Sequence, residues 1–322
     1  MIVGRTFDWS LGHGLMMINK RGMAKTGLAL PPNTPAKWVS KYGSLTFNQV
    51  GREFPYGGMN ENGLMIEILW LDTTQFPAAG AKPSTNESQW IQYQLDTSGS
   101  TAELIQNLNK VQIATAFAEV HYFVCDASRQ CATIEGIGGN FVVHTGATLP
   151  IAALTNDSYD SSVNYANPFI QNNQCATMPW KNDSLSRFTI AACAVAKQST
   201  GLTAVQEIAA AENVLNQVAQ PGYTQWYIVY DLTAKSIQLH TQAAQNQKTV
   251  RLSAFDLGCA KPVEIFDMNA SDQGDVTGKF TPYTFAANQK IVDASLAGGF
   301  ENLPPALVSE VEHYPDSTVC QP

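Results

Sequence analysis

The stretch EVHYFVCDASRQCATIE, residues 119–135, holds two strand-like runs, Glu119 to Val124 and Ala132 to Glu135, with no helical segment between them. The two runs predict an antiparallel hairpin whose turn is Asp-Ala-Ser-Arg-Gln. Such a hairpin sets Cys125 opposite Cys131, within disulfide reach, although two free thiols at a turn fit the sequence equally well. A further run, Phe141 to His144, follows Gly136-Ile137-Gly138-Gly139, a cluster that opens no helix and so reads as a turn rather than a dinucleotide-binding loop.

Working outward, Ser44 to Val50, Gly63 to Leu71, Tyr223 to Asp231 and Ser236 to Thr241 also read as strands. Helical signals sit in blocks between them. Ser100 with Glu103 forms a capping box ahead of Leu104, Ile105 and Leu108, and Asn86 with Gln89 does the same ahead of Trp90, Ile91 and Leu95. Leu185, Phe188, Ala192 and Val195 make one apolar stripe. Leu202, Val205, Ile208, Ala211, Leu215 and Val218 make another, opened by Thr203 and Gln206. Strands come in groups, then helices in pairs, without strict β-α-β alternation. That order predicts an α+β fold in which antiparallel sheets carry helices on their outer faces.

The chain has 322 residues, of which 44% are hydrophobic and only 14% charged. A charged fraction well below the roughly 25% of ordinary soluble domains argues against disorder. The net charge of −8 and the absence of a Lys/Arg run leave no footprint for a phosphate backbone, so nucleic acid is not an expected partner. No apolar run is long enough for a membrane span; the closest, Gly63 to Leu71, carries Glu67 in its middle. No linker or repeat divides the chain, which reads as one domain over 1–322. The Pro-, Gly- and Lys-rich segment from Lys20 to Lys41 reads as a long surface loop, and the tail after Leu303 shows no strong pattern.

The six cysteines match no metal-ligand or redox spacing, so zinc is not supported. No G-x-S-x-G elbow is present, the five histidines lie singly, and no pair of carboxylates can be picked out for glycosidase chemistry. Four short strings stand out. In GRTFDW, residues 4–9, Arg5 and Asp8 are three apart in an extended run, so strict alternation sends them to opposite faces unless the strand ends or bulges. Taken alone, this is an ordinary strand with a solvent-facing aspartate. GMNENGL, residues 58–64, reads as a polar turn into a buried strand ending at Trp70. LTN, residues 154–156, puts Asn156 at a strand tip. In SLSRF, residues 184–188, Arg187 opposes the macrodipole in a helix's first turn and needs a carboxylate, solvent or a functional reason.

In this order the strings resemble the choloylglycine hydrolase family, which includes penicillin V acylases, conjugated bile salt hydrolases and acyl-homoserine lactone acylases. KYGS (41–44), LWL (69–71) and, more weakly, Thr224-Gln225-Trp226 and the Asp231 turn extend the likeness, and Trp9 with LWL is most similar to the Gram-negative branch. The resemblance implies a four-layer αββα N-terminal nucleophile hydrolase that cleaves linear amides of small acyl substrates and uses no cofactor. In such enzymes an N-terminal cysteine attacks the carbonyl while its own α-amine acts as base. By resemblance, Asp8 orients that amine and Arg5 lies beside the thiolate. The Asn156 amide and the Trp70 backbone N–H form the oxyanion hole, Arg187 holds the nucleophile and Asn156, and Trp9 and Trp70 wall an apolar acyl pocket. It also implies a homo-oligomer, commonly a tetramer, and a periplasmic or secreted address set by a signal peptide.

The family's nucleophile lies a dozen or more residues ahead of the G-R-x-x-D string, whereas this chain opens Met1-Ile2-Val3-Gly4. The expectation is therefore that the nucleophile, its strand and the signal peptide are lacking here, and that the polypeptide as written is inactive. Truncation is favoured over natural loss because Arg5, Asp8 and Asn156 all remain. A non-catalytic binder of acyl ligands, and a structural domain whose motifs coincide by chance, are the competing readings.

Overall fold

The computed structural model describes residues 1–78, 80, 82–115, 118–179, 181–197, 201–298 and 305–321. The hairpin of 119–135 forms as the sequence predicts: β6 (Val120–Cys125) pairs antiparallel with β7 (Cys131–Ile137), and Cys125 lies opposite Cys131 in a disulfide. β7 turns through Gly138 and Gly139, both at positive φ, directly into β8 (Asn140–Thr145), a tight turn that only such residues make without strain. These strands join β2 (Leu15–Asn19), β3 (Ser44–Asn48), β4 (Pro55–Asn60), β5 (Met65–Trp70), β12 (Glu264–Asp267) and the short Thr281–Pro282. The large sheet so formed runs β8-β7-β6-β5-β4-β3-β2-β12 and ends on Thr281–Pro282.

The second sheet begins with β1 (Ile2–Asp8), which pairs antiparallel with β9 (Thr224–Asp231), then β10 (Ser236–Thr241) and β11 (Lys248–Arg251). Gly274–Asp275 adds a two-residue parallel edge. Among the described residues β1 is thus an edge strand, with only β9 beside it. The sheets face each other across the main core, where Met16, Ile18 and Phe47 of one meet Trp226, Ile228 and Tyr230 of the other. Alternation along each strand puts these side chains on one face and leaves the opposite faces to helices.

α1 (Glu87–Thr97) covers the large sheet, sealing Trp90, Ile91 and Leu95 against Ile66, Tyr122 and Val124. α2 (Thr101–Asn107) follows, its cap Ser100 accepting from the Glu103 N–H while the Glu103 carboxylate accepts from Gly99. α3 (Tyr159–Gln171), α4 (Ser184–Ala196) and α5 (Ala204–Val218) form the other helical layer, with α5 against β1 and β9. The layers are therefore αββα. The α5 stripe is only partly packed: Leu215 and Val218 are buried, while Val205 is 76% exposed. No described helix is long and apolar enough to cross a membrane.

Two features depart from the sequence reading. The segment from Lys20 to Lys41 is not a free surface loop: Met23–Thr26 pairs with Lys37–Val39 and with Val319–Cys320, and Lys20 and Lys25 are buried. Residues 305–321 of the tail after Leu303 form regular structure too. Residues 299–304 lie outside the described set, but α6 (Phe285–Leu296) and α7 (Pro305–His313) enclose a core of Phe54, Val292, Val311 and Tyr314. All six cysteines are paired, as Cys125–Cys131, Cys175–Cys193 and Cys259–Cys320. Three disulfides are consistent with an extracytoplasmic location.

Candidate active site

β1 carries two charged side chains in different directions. Its burial alternates strictly, placing Val3, Arg5 and Phe7 toward the large sheet. Arg5 meets Glu67 of β5, Nη1 to Oε2 at 2.7 Å, donates from Nη2 to the Ile68 carbonyl at 3.3 Å, and lies over the Phe7 ring. Glu67 is 2% exposed and also accepts from the Tyr230 hydroxyl. Room for this carboxylate comes from Gly57 on β4, where a Cβ would lie 2.0 Å from Glu67 Oε2. Burial pushes Glu67 up to about 7, against the pull of Arg5 and the Tyr230 hydroxyl.

Because that carboxyl is raised, the folded protein holds a proton between about pH 4.5 and about 7 that the unfolded chain releases. Stability from this group is therefore fully present below that window and declines as pH rises through it, by up to about 3 kcal/mol. Denaturant midpoints measured across the window should show this slope, and Glu67→Gln should flatten it. A slope unchanged in the variant would assign it to other groups.

Asp8 ends β1 where the register with β9 shifts between Phe7 and Asp8, the irregularity that the Arg5–Asp8 spacing requires. Its carboxylate accepts from Gln220 Nε2 at 2.8 Å and from the Thr224 hydroxyl. Asn156 is exposed at the tip of its segment. Arg187 donates from Nη2 to Asn156 Oδ1 at 3.0 Å. Since a guanidinium only donates, Oδ1 must face Arg187, and the Asn156 NH2 group is turned outward as a donor. Arg187 is only 8% exposed; burial pulls its pKa below the usual guanidinium value, against the charges of Asp8, Asp183 and Asp157. The cation that looked misplaced at the start of α4 is thus explained by three carboxylates and one amide oxygen.

The backbone of β5 supplies a second donor. Leu71 N–H bonds to Glu119 O on the β6 side. Alternation then turns Ile68 and Trp70 to the opposite edge, where the Arg5 contact with Ile68 O already lies. β4 covers that edge only as far as Glu67, so the Trp70 N–H points past the end of β4. The Trp70 ring is 37% exposed, donates to Asp72, and stacks on Trp9 with centroids 6.2 Å apart.

Arg5, Asp8, Trp9, Trp70, Asn156 and Arg187 all line one cavity of about 1140 Å³ that runs along the outer edge of β1. Helix α5 closes it with Ala210, Ala211, Val214 and Leu215. Gln220 was not singled out by sequence, Thr224 entered only within the weaker Thr224-Gln225-Trp226 match, and Glu67 only as a charge inside an apolar run. For Glu67 the signal was present, a charge inside a buried strand, which must find a partner. For Gln220 there was none.

Two sheets stacked between helical layers give the fold of N-terminal nucleophile hydrolases, and these groups gather where β1 ends. Residues 1–202 match the family model described as "Linear amide C-N hydrolases, choloylglycine hydrolase family". The chain belongs to the choloylglycine hydrolase family. A penicillin V acylase of Pectobacterium atrosepticum is 30% identical over 124 residues, 34% of this chain and 33% of that protein, so the match spans a third of the relative's length. The structure of penicillin V acylase from Agrobacterium tumefaciens, 26% identical, aligns with a TM-score of 0.78 over 88% of this chain and 94% of that one. A mutant conjugated bile acid hydrolase from Clostridium perfringens, 16% identical, shares the fold with a TM-score of 0.68 over 85% and 94%.

Proposed function

We propose that this chain forms the body of a cysteine-dependent hydrolase of small acyl amides, of the penicillin V acylase and bile salt hydrolase type, working in the periplasm or outside the cell. The observation that carries the reading is the Arg187–Asn156 bond, which aims an amide donor into the cavity that Arg5 and Asp8 also line. The Asn156 NH2 and the Trp70 N–H serve as the oxyanion hole for the tetrahedral intermediate. Asp8, held by Gln220 and Thr224, orients the α-amine that takes the thiol proton. Arg5 favours the thiolate, and Glu67 sets how much of its charge is free to do so. Trp9 and Trp70 wall the acyl group.

That all six cysteines are held in disulfides supports a reading in which the attacking thiol is none of them. We assign that thiol to a cysteine-led strand adding to the outer edge of β1, where backbone donors and acceptors border the cavity. Purified polypeptide 1–322 should therefore show no turnover of penicillin V, a glycine- or taurine-conjugated bile salt, or a long-chain acyl-homoserine lactone. The same body carrying its cysteine-led strand should hydrolyse at least one of them. Turnover by 1–322 alone would overturn the thiol assignment. A second reading, a non-catalytic binder of acyl ligands, is favoured by the apolar cavity together with the fully oxidised cysteines. It gains if the strand-bearing form binds these compounds and leaves them intact.

A further inference from the structure

His121 of β6 is fully buried, and its two ring nitrogens face two acceptors. Nε2 lies 2.7 Å from the carbonyl oxygen of Thr155, and Nδ1 lies 3.0 Å from Glu135 Oε1 of β7. A carbonyl only accepts, so Nε2 must carry a proton. The Nδ1 contact needs a second proton, held by the imidazole or by the carboxyl. Both Glu135 oxygens also accept from the Tyr159 N–H, at 3.0 and 3.3 Å, in the first turn of α3. His144 Nε2 stands 3.8 Å from both Glu135 Oε2 and Asp160 Oδ1, outside hydrogen-bond distance.

The far end of this chain of bonds is the residue before Asn156. Thr155 is held at three points. Its carbonyl is held by His121, its hydroxyl donates to the Ser184 carbonyl at 3.0 Å, and that hydroxyl accepts from the Ser184 hydroxyl at 3.0 Å. Tyr159 ties the start of the same segment, its hydroxyl donating to Ile151 O at 2.9 Å and accepting from Ile151 N at 3.2 Å. Of these contacts, the one from His121 acts on the peptide unit that joins Thr155 to Asn156. That unit sets where Asn156 leaves the backbone, and hence whether its side chain can meet Arg187 with one end and the cavity with the other.

We propose that His121 and Glu135 are positioning residues for Asn156, fixing the Thr155–Asn156 peptide so that the Asn156 amide is presented to the reacting carbonyl. This rests on the reading of Asn156 as an oxyanion donor. Neither residue touches substrate, and their effect passes through the buried peptide.

In polypeptide 1–322, a through-hydrogen-bond coupling between His121 Nε2 and the Thr155 carbonyl carbon should be resolved by NMR; its absence would overturn the proposal without any variant. His121→Leu should shift and broaden the Asn156 side-chain amide signals. Glu135→Gln should leave them in place, because its oxygen can still accept from Tyr159 N–H and its NH2 can donate to Nδ1 of a neutral ring. Asn156 signals unmoved in His121→Leu would sink the idea. In the strand-bearing enzyme, His121→Leu should lower kcat about tenfold to hundredfold with little change in KM, the size of loss typical when an outer group that orients a working ligand is removed. Glu135→Gln should retain most of the parent kcat. If Asn156→Ala lowers kcat while His121→Leu does not, the positioning role fails alone. If neither does, the reading of Asn156 fails first.

Discussion

Asn156→Ala in the strand-bearing enzyme should lower kcat for amide hydrolysis about 10²- to 10³-fold, the usual loss for one oxyanion-hole donor, with a smaller change in KM. The expectation follows from how the amide is held. Arg187 takes its oxygen, so its NH2 group is already aimed when substrate arrives and no reorganisation is needed during reaction. Asn156→Asp separates holding from donating. It retains an acceptor for Arg187 and removes the donor, so it should lose as much rate as alanine while keeping the local structure. Stopped assays on an amide substrate, with folding checked by circular dichroism, would measure both. An Asn156→Asp enzyme with near-normal kcat would show that the side chain serves only as a brace for Arg187.

Lys25→Met should destabilise the protein by about 3–5 kcal/mol, the range found when one member of a buried ion pair is removed. Lys25 Nζ lies 2.6 Å from Glu53 Oε2 and 2.8 Å from Asp96 Oδ2, and the three side chains are at most 1% exposed. Burial opposes the lysine charge, but Asp96 and Glu53 outweigh it and raise its pKa. Asp96 is raised by burial against the pull of Lys25, and it accepts from Trp38 and Gln92 as well. Among the described residues, removing the cation leaves two carboxylates in the core with Trp38 and Gln92 still donating to Asp96 and one cation, Arg52, 3.4 Å from Glu53. Against a total stability of about 5–15 kcal/mol this is a large fraction. The double variant Lys25→Met, Asp96→Asn should be milder than the single one, because it removes a charge that the single variant strands. Equilibrium denaturation of the two proteins would decide; a single variant within about 1 kcal/mol of the parent would mean that water or rearrangement compensates the cluster.

This ion cluster also marks where the sequence stopped being legible. Lys, Pro and Gly between Lys20 and Lys41 signal a loop because each is usually solvated or turning, and local composition carries no information about Asp96, some seventy residues away, that buries Lys25. Strands with aromatic and β-branched runs, such as β6, β7 and β9, were readable, as were the helices opened by the pairs Asn86 and Gln89, Ser100 and Glu103, and Thr203 and Gln206. β2 was missed because a short, fully buried strand shows no alternation, and β12 because its two buried residues, Ile265 and Phe266, are adjacent and too few to set a period. α3 was missed because its polar face and Pro168 hide its period. The ordered motifs pointed to Arg5, Asp8, Trp9, Trp70, Asn156 and Arg187, and all six line one cavity. Their partners were not readable, because Glu67, Gln220 and Glu135 gain meaning only once strands and helices far apart in sequence are stacked.

Gly57 and Glu67 make a lock of two positions. The carboxylate that meets Arg5 occupies the volume in which any side chain at position 57 would begin. A lineage can therefore not exchange the two residues independently. Enlarging position 57 first meets a collision, whereas shortening position 67 first strands the arginine, so the gentler route runs through loss of the acid together with a change at Arg5. The order in which mutations can accumulate at this corner is thereby constrained, and the empty side of one glycine acts as a ratchet that keeps a buried acid in place.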